Sequence, residues 1–258
     1  MADGNSTAAA TIAEVRGITK SYGEVKALGG VDLAFPRGEL ITLLGPSGCG
    51  KTTLLKIIAG LIAPDTGEVL VNARPVTGPG PERAFVFQDF ALLPWANVVR
   101  NVAFGLELRG VPRLAREAVA RARIAEVGLA GFEAAYPNQL SGGMKQRVGL
   151  ARALAVDADI ILMDEPFSAV DEQTRRKFQE ELLVLLREKG KTVIFVTHSI
   201  EEAVYLSDRI VLLSPRPGTV TRVVRPGVER DKGPEAIRRD QHYLDTVDDI
   251  WQVLKQYV

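Results

Sequence analysis

The stretch that decides the fold is residues 40–53, which read LITLLGPSGCGKTT. The apolar run from Leu40 to Leu44 predicts a buried β-strand, and we expect a helix over Thr53 to Leu61. Between the two, Gly45 to Thr52 matches the pattern G-x-x-x-x-G-K-[ST]. A strand, a glycine-rich loop and a helix in this order predict a phosphate-binding loop.

The residue types of this loop suit a polyphosphate. Gly45, Gly48 and Gly50 lack Cβ atoms, so the backbone can curl until successive N–H groups point into one concavity. The helix N-terminus adds partial positive charge. We expect Lys51 to neutralise the β and γ phosphates and the Thr52 hydroxyl to ligate Mg²⁺. The predicted nucleotide-binding residues of the loop are Gly45, Pro46, Ser47, Gly48, Cys49, Gly50, Lys51, Thr52 and Thr53, with Cys49 as a small space-filling residue.

Two adjacent acids follow a second buried strand. The apolar run from Ile160 to Met163 leads into Asp164 and Glu165. Asp164 can hold Mg²⁺ directly or through water, and Glu165 can polarise the water that attacks the γ phosphate. An ordinary solvated turn is the alternative, but Pro166 ends the strand directly after the pair. The sequence therefore predicts Asp164 as a metal ligand beside Thr52, and Glu165 as a catalytic residue.

Two further apolar runs end in a polar residue. Ala84 to Phe87 leads into Gln88, and Val193 to Thr197 leads into His198. Such runs alternate with helix-length amphipathic stretches, which is typical of an α/β fold with a mainly parallel sheet covered by helices. In open α/β sheets, ligands bind outside the carboxyl ends of the strands. We therefore expect these residues to converge on one crevice with the phosphate loop.

The strand pattern lapses between Gln88 and about Ala158, where two helices are predicted. They cover Arg113 to Val127 and Gly142 to Val156, the second with Ser141 as its N-cap. This indicates a helical subdomain of about 89–158, inserted into a domain of 13–233.

The ends of the chain have separate interpretations. Residues 1–12 are predicted to form a disordered tail, and residues 234–258 to form one helix packed on the domain. The apolar residues of that helix share one predicted face, and they are Tyr243, Leu244, Val247, Ile250, Trp251 and Leu254. This face covers the protein's own core or, as the alternative, recruits a partner.

Composition restricts the class of protein. Acidic and basic residues balance at 32 each in 258 residues, so no global field favours nucleic acid, and we predict no nucleic-acid partner. No apolar run approaches the roughly 20 residues needed to span a bilayer. The first dozen residues do not resemble a secretory signal. The single cysteine, Cys49, excludes an intrachain disulfide and allows a cytosolic location.

Residues 140–147, LSGGMKQR, resemble the LSGGQ signature of ATP-binding-cassette (ABC) ATPases, with Met144 in place of the usual glutamine. The other marks of that family stand in the expected order. They are Tyr22 as the adenine-stacking aromatic, Gln88 as the Q-loop glutamine, residues 168–171 (SAVD) as the D-loop, and His198 as the switch histidine.

This resemblance implies a P-loop NTPase core with a mainly parallel sheet, an N-terminal antiparallel β portion and the inserted helical subdomain. It also implies an ATPase that uses ATP and Mg²⁺, with Gln88 at the metal and, together with Glu165 and His198, in catalysis. In this family two nucleotide-binding domains pack head to tail. A second copy of the chain would therefore complete each ATP site with Ser141, Gly142 and Gly143 of the signature and Asp171 of the D-loop.

A narrower resemblance lies in residues 92–95 (LLPW), 101–105 (NVAFG) and 213–218 (LSPRPG). These look like the ATPases of nitrate, sulfonate and taurine importers. The resemblance implies a peripheral subunit at the cytoplasmic face of the inner membrane. Its partners would be transmembrane permease subunits and, indirectly, a periplasmic or lipoprotein solute-binding protein that delivers a small anion. In this family a coupling helix of the membrane subunit docks near residues 92–95, for which an ordinary buried loop is the alternative.

Two other functions share most of these motifs. One is the ATPase of an exporter or lipid-handling complex, which has every motif named above. The other is a soluble ABC ATPase of DNA repair or translation. Soluble members usually carry two cassettes in one chain or a long coiled-coil insertion, and neither pattern occurs in this sequence.

Overall fold

The structure is a computed structural model that describes residues 10–168 and 170–257, the side chain of Asp231 excepted. The strands are β1 Thr11–Tyr22, β2 Val25–Pro36, β3 Leu40–Leu44, β4 Thr66–Val71, β5 Arg74–Pro75, β6 Arg83–Val86, β7 Ile160–Asp164, β8 Thr192–Val196, β9 Arg209–Leu213 and β10 Val220–Val224. The helices are α1 Lys51–Ala59, α2 Val98–Leu108, α3 Arg113–Glu126, α4 Gly142–Ala155, α5 Glu172–Glu188, α6 Ile200–Leu206, α7 Pro234–Arg239 and α8 Gln241–Leu254. Within the described ranges, no helix has the length and apolarity needed to cross a bilayer.

Strand β3 lies inside a six-stranded sheet of order β10-β9-β3-β8-β7-β6. Strands β9, β3, β8, β7 and β6 run parallel, and β10 is the antiparallel edge. Ile41 and Leu43 point to one apolar layer while Leu40 and Leu44 point to the other. Burial on both faces explains the continuous apolar runs of the sequence. The predicted α/β fold with a mainly parallel sheet is confirmed.

A four-stranded antiparallel sheet of order β2-β1-β4-β5 packs over α1 and one face of the central sheet. This confirms the N-terminal antiparallel β portion that the family resemblance implied. The residue pattern alone did not reveal these strands. Register shifts around Ile18 and Thr19 interrupt the pairing of β1 with β2, and such bulges break the period-two alternation that identifies a half-buried strand.

Between β6 and β7 the chain forms α2, α3 and α4, which pack against one another. Helix α2 was not predicted, and its start depends on Asn97, whose side chain accepts a hydrogen bond from the N–H of Arg100 at 3.0 Å. At the start of α4, Ser141 is the N-cap that the sequence predicted. The extent of the helical subdomain, 89–158, and the end of the whole domain at residue 233 stay predictions.

Two predicted boundaries near the chain ends are wrong. Thr11 and Ile12, assigned to the tail, belong to β1, where Ile12 is buried; residues 1–9 of that tail lie outside the described residues. The single predicted C-terminal helix is two helices, α7 and α8. The break lies at Asp240, whose ψ of 133° is not helical and whose side chain accepts the N–H of His242 at 3.0 Å, so that Asp240 caps α8.

Helix α8 presents only part of its predicted apolar face to the protein. Tyr243 and Ile250 are buried, and the Tyr243 hydroxyl donates to the carbonyl of Glu201 at 3.3 Å in α6. Leu244 and Trp251 are 46% and 50% exposed. The prediction that all six apolar residues cover the core is therefore wrong for these two.

This difference generates a stability prediction. Ile250→Ala should lower the free energy of unfolding by about 2–5 kcal/mol, because it removes a fully buried side chain and leaves a cavity. Leu244→Ala, in the same helix, is the matched control and should change it by less than about 1 kcal/mol. Urea denaturation of the purified chain, followed by circular dichroism, measures both. Equal losses for the two variants would contradict the packing of α8 seen here.

Candidate functional site

The register of the parallel sheet brings the predicted site residues to one edge. Leu43 of β3 and Asp164 of β7 both pair with Val196 of β8. The segments that follow these strands begin at the same level and lie side by side. The phosphate loop, the acidic pair and the loop of His198 therefore meet, as the sequence predicted.

The phosphate loop is folded around its own lysine. The Nζ atom of Lys51 donates to the carbonyl oxygens of Gly45 at 2.8 Å and Pro46 at 2.9 Å. Gly50 has a φ of 99°, and a Cβ there would lie 2.9 Å from the carbonyl oxygen of Ala27 in β2. A side chain at position 50 would be excluded by both conditions. The loop thus has the tight backbone curl that phosphate binding requires.

Thr52 and Asp164 form an oxygen pair beside this loop. The Thr52 hydroxyl donates to Oδ1 of Asp164 at 2.8 Å. Burial raises the pKa of Asp164, and the hydrogen bond from Thr52 opposes that rise. Over residues 10–168 and 170–257, no group of three or more His, Cys, Asp or Glu can hold a metal. Mg²⁺ does not need one, because it binds through one or two protein oxygens together with phosphate oxygens and water. The pair fits that ion.

Glu165 lies at the centre of the predicted catalytic residues. Its Oε2 atom accepts a hydrogen bond from Nε2 of Gln88 at 3.2 Å and lies 3.5 Å from Nδ1 of His198. The φ of Glu165 is 46°, an uncommon value for a residue with a side chain, and its N–H donates to the carbonyl of Val196 at 3.1 Å. The sharp turn after β7 therefore holds the carboxylate between two polar side chains from the segments that follow β6 and β8.

Glu165 and His198 border an open cleft of about 580 Å³, and in the described part of the chain Gln88 and Asp164 do not contribute to its wall. Predicted residues in its wall are Tyr22, Ser47, Gly48, Gly50, Lys51, Thr52, Thr53, Glu165 and His198. Sequence analysis missed three others, Val25, Ala27 and Arg216. Val25 and Ala27 belong to β2, which the residue pattern did not reveal. Arg216 belongs to the proline-rich stretch after β9, which was noted only for its family resemblance.

Three predicted loop residues do not line the cleft. Cys49 is 1% exposed and its side chain joins the apolar layer beneath the N-terminal sheet, where burial raises the pKa of its thiol. Gly45 and Pro46 turn their carbonyl groups to Lys51. These three residues therefore contribute to the backbone shape of the loop and not to the wall of the cleft.

The signature and D-loop residues lie apart from the cleft. The Ser141 hydroxyl accepts the N–H of Met144 at 3.3 Å, and Asp171 accepts the N–H of Thr174 at 3.0 Å, a bond that lowers the pKa of Asp171. Each residue thereby caps a helix, α4 or α5. In the described part of the chain, neither these two residues nor Gly142 and Gly143 contribute to the cleft wall. Ala169 of the D-loop lies outside the described residues.

Comparison with known proteins agrees with this site. Residues 28–168, more than half of the chain, match the model of the family described as ABC transporter. A taurine import ATP-binding protein of Chromobacterium violaceum is 52% identical over 84% of this chain and 85% of its own length. An uncharacterised ABC transporter ATP-binding protein of Methanocaldococcus jannaschii is 49% identical over 95% of this chain and 92% of its own length.

Solved structures give the same result. A dimeric ATP-binding cassette in a post-hydrolysis state bound to ADP and phosphate has a TM-score of 0.74 and 35% identity, over 83% of this chain and 98% of its own. A dimeric bacterial ABC transporter cassette has the same TM-score and 36% identity, with the same coverage. The predicted ABC ATPase fold and the resemblance to ATPases of the taurine importer type are confirmed. With a phosphate loop, a buried acidic strand end and these relatives, the chain belongs to the ABC transporter family, as one of its ATP-binding and ATP-hydrolysing subunits.

Proposed function

We propose that this chain drives an importer of a small anion, such as taurine, another sulfonate or nitrate. Two copies would lie at the cytoplasmic face of the inner membrane beneath transmembrane permease subunits, to which a solute-binding protein delivers the anion. The observation that carries the ATPase chemistry is the position of Glu165 between Gln88 and His198 at the open cleft. The importer role and the class of solute are supported by relatives named for taurine import.

ATP binding requires Lys51 to exchange partners. Its ammonium group now bonds the carbonyls of Gly45 and Pro46, and in the complex it would turn to the β and γ phosphates. The Thr52 hydroxyl and the Asp164 carboxylate would hold Mg²⁺ together with Oε1 of Gln88, whose Nε2 atom is bonded to Glu165. The ion would neutralise charge that develops on the phosphate oxygens.

For hydrolysis, Glu165 would act as the general base. Its Oε2 atom would accept a proton from the water whose oxygen attacks the γ phosphorus, as the bond to the β phosphate oxygen breaks. Gln88 and His198 would keep the carboxylate aimed at that water, since both approach the same oxygen. His198 would also donate a hydrogen bond to the γ phosphate.

A second copy would complete the site. The N–H groups of Gly142 and Gly143 lie at the N-terminus of α4 beside the Ser141 hydroxyl, which is a second anion-binding arrangement. Since they do not line this chain's own cleft in the described residues, we infer that they bind the γ phosphate held by the partner copy. ATP would thus join the two chains, and hydrolysis would release them.

The contact with the permease would involve residues 92–95. The Trp95 side chain is 69% exposed, which disfavours an ordinary buried loop. Beneath it, the buried amide of Asn101 accepts the N–H of Leu93 at 2.8 Å and donates to the carbonyl of Ala96 at 2.8 Å. A loop held this firmly, with an exposed indole, is suited to bind a helix of a partner protein.

Glu165→Gln tests the catalytic residue and the two-chain site together. The amide keeps the shape of the carboxylate but cannot accept the proton, so hydrolysis should fall at least about a hundredfold while ATP binding persists. Unhydrolysed ATP should then trap a dimer, seen by light scattering with and without ATP. Adding Ser141→Arg should abolish that dimer. A variant that binds ATP tightly yet stays monomeric would contradict the proposed sandwich.

Lys51→Ala tests the phosphate site. Loss of the cation that faces the phosphates should weaken ATP binding about tenfold or more and abolish hydrolysis. Lys26→Ala is the matched control, because Lys26 is exposed on β2 outside the cleft wall and should keep normal binding. Calorimetry measures the affinity and phosphate release the rate. Near-normal hydrolysis by Lys51→Ala would overturn the site assignment.

Trp95→Asp tests the permease contact and with it the transport function. In an intact complex in vesicles, taurine or nitrate uptake should be lost while the isolated subunit keeps its ATPase activity, because Trp95 lies outside the cleft wall. Trp251→Asp is the matched control, since Trp251 is also exposed, at 50%, but lies on α8. A complex that carries Trp251→Asp should take up taurine or nitrate normally. Unaltered uptake by Trp95→Asp would count against the docking role.

A further inference from the structure

The segment between β9 and β10, residues 214–219, forms a strap over the N-terminal sheet. The N–H of Gly218 donates to the carbonyl of Ala27 at 2.9 Å, and the N–H of Gly29 donates back to the carbonyl of Gly218 at 2.9 Å. Within the strap, the Ser214 hydroxyl accepts the N–H of Thr219 at 2.9 Å. These bonds fix both ends of the strap, so its middle has little freedom.

The strap also contacts the phosphate loop. A Cβ on Gly218 would lie 2.0 Å from the carbonyl oxygen of Cys49, so only glycine allows this approach. The position of the strap relative to the loop is therefore set by backbone contact. A side chain on the strap has a defined place at the cleft.

Arg216 is the residue at the middle of the strap, and its exposed side chain lines the cleft. Pro215 and Pro217 flank it and restrict its backbone. The hydrogen bonds and ion pairs found over residues 10–168 and 170–257 do not involve its guanidinium. By contrast, the cation of Lys51 already has two carbonyl partners. Arg216 thus supplies the cleft with five N–H donors that have no partner within the described chain.

The contacts of the strap indicate the part of the cleft near which Arg216 lies. The strap is hydrogen-bonded to β2 at Ala27, and Val25 at the start of β2 pairs with Tyr22 at the end of β1. Val25 and Tyr22 are about half exposed in the cleft wall and are its large apolar residues, and the part of the wall that they form is named the apolar end. A guanidinium beside apolar and aromatic groups is suited to stack on a planar base and to donate to its ring atoms or ribose.

We propose that Arg216 is a nucleotide-binding residue that contacts the nucleoside half of the ligand, the base or its ribose, at the apolar end of the cleft. This rests on the proposed function only in that the cleft holds a nucleotide. The sequence motifs, including residues 213–218, did not indicate this contact, because it is tertiary structure that brings the strap to the cleft.

Calorimetry with ATP, ADP and inorganic tripolyphosphate tests the proposal on the purified full chain. Arg216→Ala should lower the affinities for ATP and ADP by the same factor, about fivefold, and leave the affinity for tripolyphosphate unchanged. Tyr22→Ala, at the same end, should give the same pattern. Arg239→Ala, which removes an exposed arginine on α7 outside the cleft wall, should change none of the three affinities. Unaltered melting temperatures show that the variants are folded.

The outcomes separate this proposal from the function on which it rests. If the wild-type chain binds none of the three ligands, the nucleotide site itself fails, and the role of Arg216 with it. If the wild type binds ATP and Arg216→Ala binds it equally well, only the role of Arg216 is overturned. A loss of tripolyphosphate affinity equal to the loss for ATP would overturn it too, since the contact would then be to phosphate.

Discussion

Backbone segments enclose the phosphate loop at contact distance, and the geometry of the whole cleft depends on this enclosure. A Cβ on Gly45 would lie 2.8 Å from the carbonyl oxygen of Leu213, and one on Gly218 would lie 2.0 Å from that of Cys49. Glycine at these points lets the end of β9 and the 214–219 strap reach the loop. The two sheets thereby meet at the loop, and the walls of the cleft keep fixed positions relative to the phosphate site.

The charged groups at the phosphate site, Lys51 and Asp164, form hydrogen bonds with neutral groups of the chain. The ammonium group of Lys51 donates hydrogen bonds to two backbone carbonyls, and the Asp164 carboxylate accepts one from the Thr52 hydroxyl. Burial of Asp164 raises its pKa. A cation that binds at Asp164 would favour the ionised carboxylate and would therefore reverse the effect of burial. Phosphates at Lys51 would likewise replace neutral acceptors with charged ones. On the proposed function, ATP and Mg²⁺ would bind by exchange of hydrogen-bond and charge partners at Lys51, Thr52 and Asp164.

The sequence revealed those parts of the molecule whose burial or chemistry is local. Continuous apolar runs identified the parallel strands because both faces of that sheet are covered, and the residues after each run identified the phosphate loop, Glu165 and His198. It did not reveal β1, in which bulges break the alternation, or the break at Asp240, which a single side-chain cap decides. Arg216 was missed for a different reason, since only tertiary contacts of the strap bring it to the cleft.

The loop after Gln88 joins the proposed catalytic residues to the surface proposed for the permease. Phe90 and Ala91 have φ values of 64° and 43°, and the guanidinium of Arg152 in α4 donates to their carbonyl oxygens at 2.8 Å and 2.7 Å. Gln88 precedes this strained turn and bonds Glu165, while Trp95 follows it. Because Arg152 belongs to the helix that Ser141 caps, a displacement at Trp95 would reach both Glu165 and the signature through this turn under the proposed function. The proposed contact with a permease would therefore affect the Glu165 carboxylate and the signature in one movement.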